Sequence, residues 1–232
     1  MDGPKRYINE GGIHGRTHLH FAAENNLLSM CKMLLKSANE VDPQDDNGNT
    51  PFHLAASNGH LEVCELLIDY NINVENFQSQ IPFHMAAING HLEVCNLIIE
   101  DDPVGHLNLL GYGDCKHSFY WAAAKGLFGV CKLFLEKLQE KNPANDLGYS
   151  LLHWAAQNGH LEICQYIIEN ANDKNPADLL GETPLHLAAE KGQLEVCKLI
   201  ADNITEEESN NYVGQIMKLL ETYLLSKKIK LE

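Results

Sequence analysis

The chain has 232 residues, 44% of them hydrophobic and 21% charged, with a formal net charge of -15. That length can bury a sizeable core and that balance excludes a disordered chain; the charge repels nucleic acid unless a basic patch is hidden, and no run of about 18 apolar residues is present to span a membrane. Seven cysteines behind an N-terminus, MDGPKRYINEGG, that lacks an apolar stretch imply reduced thiols and a cytoplasmic location, with the nucleus as second choice.

Residues 1–11 are polar and read as a flexible lead-in. From residue 12 to 203 the chain repeats six times. THLHFAA at Thr17 is followed by TPFHLAA at Thr50, IPFHMAA at Ile81, HSFYWAA at His117, SLLHWAA at Ser150 and TPLHLAA at Thr183. The starts lie 33, 31, 36, 33 and 33 residues apart. Nine residues after each start stands Asn26, Gly59, Gly90, Gly126, Gly159 or Gly192, and fourteen after it Cys31, Cys64, Cys95, Cys131, Cys164 or Cys197.

The second copy shows the expected local structure. Thr50-Pro51 starts a helix, because proline in the first turn forfeits no hydrogen bond; Pro82 and Pro184 repeat the signal. The helix runs to Asn58, and Gly59 ends it in a left-handed turn. A second helix runs from about Leu61 to Asp69, with Leu61, Cys64, Leu67 and Ile68 as its apolar stripe and Glu62 and Glu65 outside. The third copy has Ser79 where glycine is expected. The fourth is irregular, with Ser118 for proline, Tyr120 for histidine and Gly129 for glutamate. The link before it, residues 101–116, carries Cys115, the cysteine outside the periodic set and the expected most reactive thiol. KNPA precedes the fifth and sixth copies, at Lys141 and Lys174. Residues 204–232 read as a C-terminal capping helix and basic tail. Thr205-Glu206-Glu207-Glu208 has the form of a capping box, and Val213, Ile216, Met217, Leu220, Tyr223 and Leu224 recur at helical spacing.

The heptads and the GHLEVC-type segments behind them resemble the ankyrin-repeat family. The resemblance implies an all-α ankyrin-repeat solenoid of stacked helix–turn–helix units with β-turn fingers, which binds through the inner face of its first helices and its turn tips. It also implies roles for the shared residues. His20, His53, His84, His153 and His186 occupy a slot whose side chain bonds backbone between neighbouring copies. The cysteines occupy a slot that usually holds valine. Stacked helices sit about 8–10 Å apart, beyond the roughly 7 Å a disulfide tolerates, so these thiols are read as core and no metal is expected. Asn142 and Asn175 fall on a turn asparagine that some ankyrin proteins hydroxylate and that otherwise closes the finger.

Specificity then belongs to positions the copies do not share. One first-helix slot reads Phe21, Leu54, Met85, Trp121, Trp154 and Leu187. Trp121 and Trp154 are candidate anchors for a partner, or space-fillers between copies, and Met85 shares their face. The first-helix ends add Asn58, Asn89, Lys125, Asn158 and Glu190 as polar candidates. The fingers add Phe77 and Tyr149, with Leu147, Leu179 and Leu180. Such apolar tips either form a contact surface or pack on one another.

No glycine-rich phosphate loop and no Ser–His–Asp or Cys–His pairing survives once the repeat is recognised, so the chain is not expected to be an enzyme, and no cofactor is expected. The leading expectation is a monomeric, non-catalytic protein–protein interaction module or scaffold that binds a neutral or basic segment of a partner protein and neither nucleic acid nor membrane. One alternative is an acidic inhibitor that sequesters a basic targeting segment, as ankyrin-containing inhibitors of Rel-type transcription factors do. Another is an adaptor that recruits machinery through its C-terminal helix.

Overall fold

The computed structural model describes residues 13–37, 42–70, 72–101, 117–138 and 141–204. The expected lead-in, Cys115 and the expected C-terminal capping helix lie outside the described residues. The chain divides into two compact units, Met1–Phe119 and Tyr120–Glu232.

Unit 1 opens with a 3-10 turn, Ile13–Gly15, followed by three helical hairpins: α1 (His18–Glu24) with α2 (Leu28–Ser37), α3 (Pro51–Ser57) with α4 (Leu61–Leu67), and α5 (Pro82–Asn89) with α6 (Leu92–Glu100). In unit 2, α7 (His117–Lys125), whose first turn precedes the unit border, pairs with α8 (Phe128–Lys137). Then come α9 (Leu151–Gln157) with α10 (Leu161–Asn170) and α11 (Pro184–Glu190) with α12 (Leu194–Ala201). The described residues contain no strand. An isolated antiparallel bridge joins Ala144 to Ser150. The described part is therefore all-α, and each unit stacks its hairpins in two layers. In unit 1, α1, α3 and α5 form one layer and α2, α4 and α6 the other; in unit 2, α9 packs on α11, and α8, α10 and α12 form the second layer.

Local chemistry sets each hairpin. Thr50 caps α3, Pro51 fills its first position, and Asn58 ends it. Gly59 then takes φ 72, a left-handed conformation that any Cβ would oppose. The paired alanines of every first helix, such as Ala55 and Ala56, are fully buried and let neighbouring helices approach closely. Phe83 and Ile98 fill unit 1, and Phe134, Leu151, Ile163 and Ile167 fill unit 2, each contributing about 1.5–3 kcal/mol by leaving water.

The second helix differs from its expected stripe. α4 ends at Leu67, and the buried face is Val63, Cys64, Leu67 and Ile68. Leu61 opens the helix beside the turn and stays half-exposed, while Val63 fills the interior. The periodic cysteines are all buried. Burial pushes the thiols of Cys64, Cys95, Cys131 and Cys164 up to about 12.

Candidate functional site

Two sets of imidazoles hold the copies in register. In the first, the backbone N–H of Thr50 donates to His53 Nδ1 at 3.1 Å. An amide can only donate, so Nδ1 is the bare nitrogen and Nε2 carries the proton. That proton goes to the Gln80 carbonyl of the next finger at 2.8 Å. His20 treats Thr17 and the Asn49 carbonyl in the same way, and His153 treats Ser150 and the Glu182 carbonyl in the same way. Burial lowers His53 to about 4, against the opposing pull of the Gln80 carbonyl. Burial also lowers His20 and His153.

The sequence places the second set at one recurring slot, the start of the second helices, but does not give its partners. His60, His91 and His160 precede the second helices and reach back to the first-helix ends of the preceding copy. Their Nε2 atoms lie 2.9 Å from the Glu24 carbonyl, 3.0 Å from Ser57 and 2.7 Å from Ala124. Gln193 replaces histidine in the last copy and donates to the Gln157 carbonyl at 3.4 Å. These carbonyls end helices and have no intrahelical donor, so the clamp satisfies them and fixes the hairpin ends.

In unit 2 those fixed ends border an open groove of about 570 Å³, lined by Trp121, Ala124 and Lys125 of α7, Trp154, Gln157 and Asn158 at the end of α9, and Lys191 and Gln193 after α11. Four sequence candidates, Trp121, Lys125, Trp154 and Asn158, thus come together. Trp121 is 50% exposed, and Lys125 Nζ lies 5.6 Å from its ring centroid. Trp154 is mostly covered. Tyr120 stacks on it at 6.3 Å and Tyr149 meets it edge-on at 5.1 Å, and its buried indole Nε1 has no acceptor. Trp154 thus packs among neighbouring aromatic rings, whereas Trp121 faces out.

Tyr149 belongs to this cluster more than to a finger tip. Its ring stacks on His153 at 4.7 Å, and its hydroxyl donates to Gln157 Oε1 at 2.8 Å. Burial first, then Asp178 and Glu190, push the phenol up to about 12. Glu190 does not line the groove. It forms an exposed ion pair with Lys191 at 2.9 Å, and Lys191 is the lining residue of that pair. The Asn158 amide turns back to donate to the Trp154 carbonyl at 2.9 Å.

Met85, Asn58, Asn89 and Phe77 belong to unit 1. Asn58, the C-cap of α3, and Asn89, the last residue of α5 before its C-cap Gly90, donate through their side-chain amides to the Leu54 and Met85 carbonyls. Met85 is half-buried. Phe77 is 70% exposed at its finger tip, and its N–H bonds the Asn47 carbonyl of the preceding finger at 2.9 Å. In unit 2, Leu179 N–H likewise bonds the Leu147 carbonyl. Fingers join through backbone, and the side chains of Leu147, Leu179 and Leu180 stay exposed, Leu180 by 88%. Asn142 Oδ1 accepts from Leu152 N–H at 3.0 Å and Asn175 Oδ1 from Leu185 N–H at 3.1 Å, so each ties the finger to the helix start ten residues on.

Among the described residues no His, Cys, Asp or Glu group is arranged to hold a metal, and no helix is long and apolar enough to cross a membrane.

A family profile described as ankyrin repeats (3 copies) matches residues 19–108 and 119–211. Among solved structures the chain is similar to an ankyrin repeat domain from Acinetobacter baumannii AYE, 23% identical with a TM-score of 0.66, over 80% of this chain and 96% of that one. It is also similar to the human ASB11 ankyrin repeat domain, 21% identical with a TM-score of 0.70, over 82% of this chain and 85% of that one. At these identities the likeness speaks for the fold. No curated protein matches the chain.

Proposed function

The chain belongs to the ankyrin-repeat family, and from that premise we propose that it is a non-catalytic module that binds a partner protein through the groove of unit 2. Ankyrin repeats are in general protein–protein interaction modules. The observation that carries the reading is the convergence of Trp121, Lys125, Trp154 and Asn158 on one groove. Trp121 supplies an exposed aromatic surface of the kind that dominates interface energetics. The stacked aromatics behind it and the clamped helix ends hold the lining in place before a partner arrives, which lowers the ordering cost of binding.

The test is affinity capture with the wild-type chain against Trp121→Ala. The side chain is half-exposed, so its truncation spares the core. Proteins held by the wild type and lost from the variant support the reading; retention of every captured protein by the variant overturns it.

A second reading has its own observation. The unit 2 fingers expose Leu147, Leu179 and Leu180 beside the exposed acids Asp146 and Glu182, a surface suited to an apolar segment with basic flanks. That is the chemistry an acidic inhibitor of a basic targeting segment requires. Binding that survives Trp121→Ala and is lost on Leu179→Ser, Leu180→Ser favours it. The adaptor reading depends on residues 204–232, nearly all of which lie outside the described residues.

A further inference from the structure

The fingers are built to one template. Each opens on an Asn or Asp whose side-chain oxygen accepts from the backbone N–H groups two and four residues on. Asn76 Oδ1 takes Gln78 and Gln80, Asn145 Oδ1 takes Leu147 and Tyr149, and Asp178 Oδ1 takes Leu180 and Glu182. The next residue but two is left-handed, at Gly48, Ser79, Gly148 and Gly181. One N–H of the following finger then donates to the finger before it. Phe77 donates to the Asn47 carbonyl and Leu179 to the Leu147 carbonyl, each at 2.9 Å. The approach is close: a Cβ at Gly48 would fall 2.8 Å from Phe77 N, and one at Gly148 would fall 3.1 Å from Asp178 Cα.

The sixth finger has this edge open. A Cβ at Gly181 would meet nothing within 4 Å. Among the described residues no backbone N–H donates to the Leu180 carbonyl, the counterpart of the Asn47 and Leu147 carbonyls. Leu180 is 88% exposed, against 64% for Leu147, whose edge is covered.

The sequence supplies an occupant at the right distance. Asn211-Tyr212-Val213-Gly214-Gln215-Ile216 lies 33 residues after Asp178-Leu179-Leu180-Gly181-Glu182-Thr183, the spacing of the last two copies. It matches the third finger, Asn76-Phe77-Gln78-Ser79-Gln80-Ile81, in its asparagine, its aromatic and its Gln-Ile, with Gly214 in the left-handed place of Ser79. The reach is the same as well. Asn211 stands 17 residues past Leu194, which opens α12, as Asp178 stands 17 past Leu161, which opens α10. Beyond the finger the repeat fades: Leu219 stands in the histidine slot, and Glu221 and Thr222 stand where the other copies bury paired alanines. Polar residues there suit the outer side of a last module.

We propose that residues 211–216, which lie outside the described residues, form a seventh finger docked on the sixth. Tyr212 N–H donates to the Leu180 carbonyl, and Gly214 takes the left-handed conformation. The capping helix then starts after this finger rather than at Thr205. A continuous helix through the segment is the competing arrangement, and it puts glycine, a poor helix former, in the interior. The docking is independent of both binding readings above and lengthens the surface of the second. Leu147 stays exposed with its neighbour docked, so Tyr212 and Val213 extend the apolar row of Leu179 and Leu180.

The test uses the full chain with Cys115→Ser, whose six remaining thiols are buried. A short thiol cross-linker is applied to the pair Leu180→Cys, Tyr212→Cys, with Leu147→Cys, Leu179→Cys as the control across a described junction. Thermal midpoints are then compared for Gly214→Ala and Gly214→Asn, because asparagine tolerates a left-handed backbone better than alanine does. The expected result is cross-linking of the test pair to the extent of the control. Gly214→Ala should lower the midpoint by about 2–4 °C, with Gly214→Asn between it and the wild type. Cross-linking of the control alone would overturn the docking. A midpoint for Gly214→Ala equal to or above that of the wild type would overturn the finger, since alanine is the better residue in a helix. If neither pair cross-links, the ranking at Gly214 decides by itself.

Discussion

His91 lies directly over Gly59: a Cβ at Gly59 would fall 2.4 Å from the ring's Nδ1, while Nε2 holds the Ser57 carbonyl at 3.0 Å. Glycine is required there twice, for φ 72 and for the space the imidazole fills. Gly59→Ala should therefore cost more than the roughly 1–2 kcal/mol of a left-handed alanine, because the clamp is displaced as well. His91→Ala should cost about 1 kcal/mol, the net worth of one hydrogen bond. Urea unfolding of both variants and their combination should show a double variant less destabilised than the sum. Simple additivity would refute the coupling.

Ser79 takes φ 55, whereas the equivalent finger position is glycine in four other copies: Gly15, Gly48, Gly148 and Gly181. The strain of a left-handed side chain outweighs the extra entropy glycine has in the unfolded chain. Ser79→Gly should raise stability by about 0.5–1 kcal/mol, read as a higher thermal midpoint. A lower midpoint would mean that the serine side chain contributes more than its backbone costs.

His53 makes stability depend on pH. Burial holds the folded ring at about 4, against an ordinary value of 6.5. Above pH 6.5 both states are neutral and its contribution is complete. Between 6.5 and about 4 the unfolded chain takes up a proton that the folded chain refuses, so stability falls as pH falls. At pH 5 the loss from this one group is about 2 kcal/mol, and His20 and His153 act in the same direction. Denaturant midpoints at pH 7 and pH 5 should differ less in His53→Gln, which keeps a capping side chain but cannot take the proton.

Thiol labelling tests the packing of the second helices. A Cys115→Ser chain retains only the six buried, poorly ionised thiols. It should react with a disulfide reagent at pH 8 only as fast as it unfolds. A fast-reacting thiol in that variant would show that the helix layer opens locally.

The tryptophans should be spectroscopically unequal. Trp154→Phe leaves the half-exposed Trp121, whose emission should be readily quenched by acrylamide, whereas Trp121→Phe leaves the covered Trp154 and a shielded emission. Full shielding of Trp121 would remove the reason to consider it an anchor.

The architecture was legible because a repeat states its local rules six times. Thr50-Pro51, His53, Ala55-Ala56 and Gly59 each specify a cap, a bond, a close approach or a turn. What escaped were relations between copies. Nothing within one copy says that His160 reaches the Ala124 carbonyl, because the partner is a backbone atom of the preceding copy. Helical period alone could not decide between Glu190 and Lys191, neighbours at one helix end, and it put Leu61 rather than Val63 on the buried face. Nor could it separate Trp121 from Trp154. That difference comes from Tyr149 and Tyr120 closing over one ring and not the other.

The imidazole clamps each cross a single boundary, reaching 27 to 29 residues forward in one set and 34 to 36 back in the other. A duplicate of the second or fifth copy, each of which carries both imidazoles, would bring its own pair of clamps and leave every existing one intact. Such a chain can lengthen by tandem duplication, adding footprint for a larger client without rebuilding what it already holds.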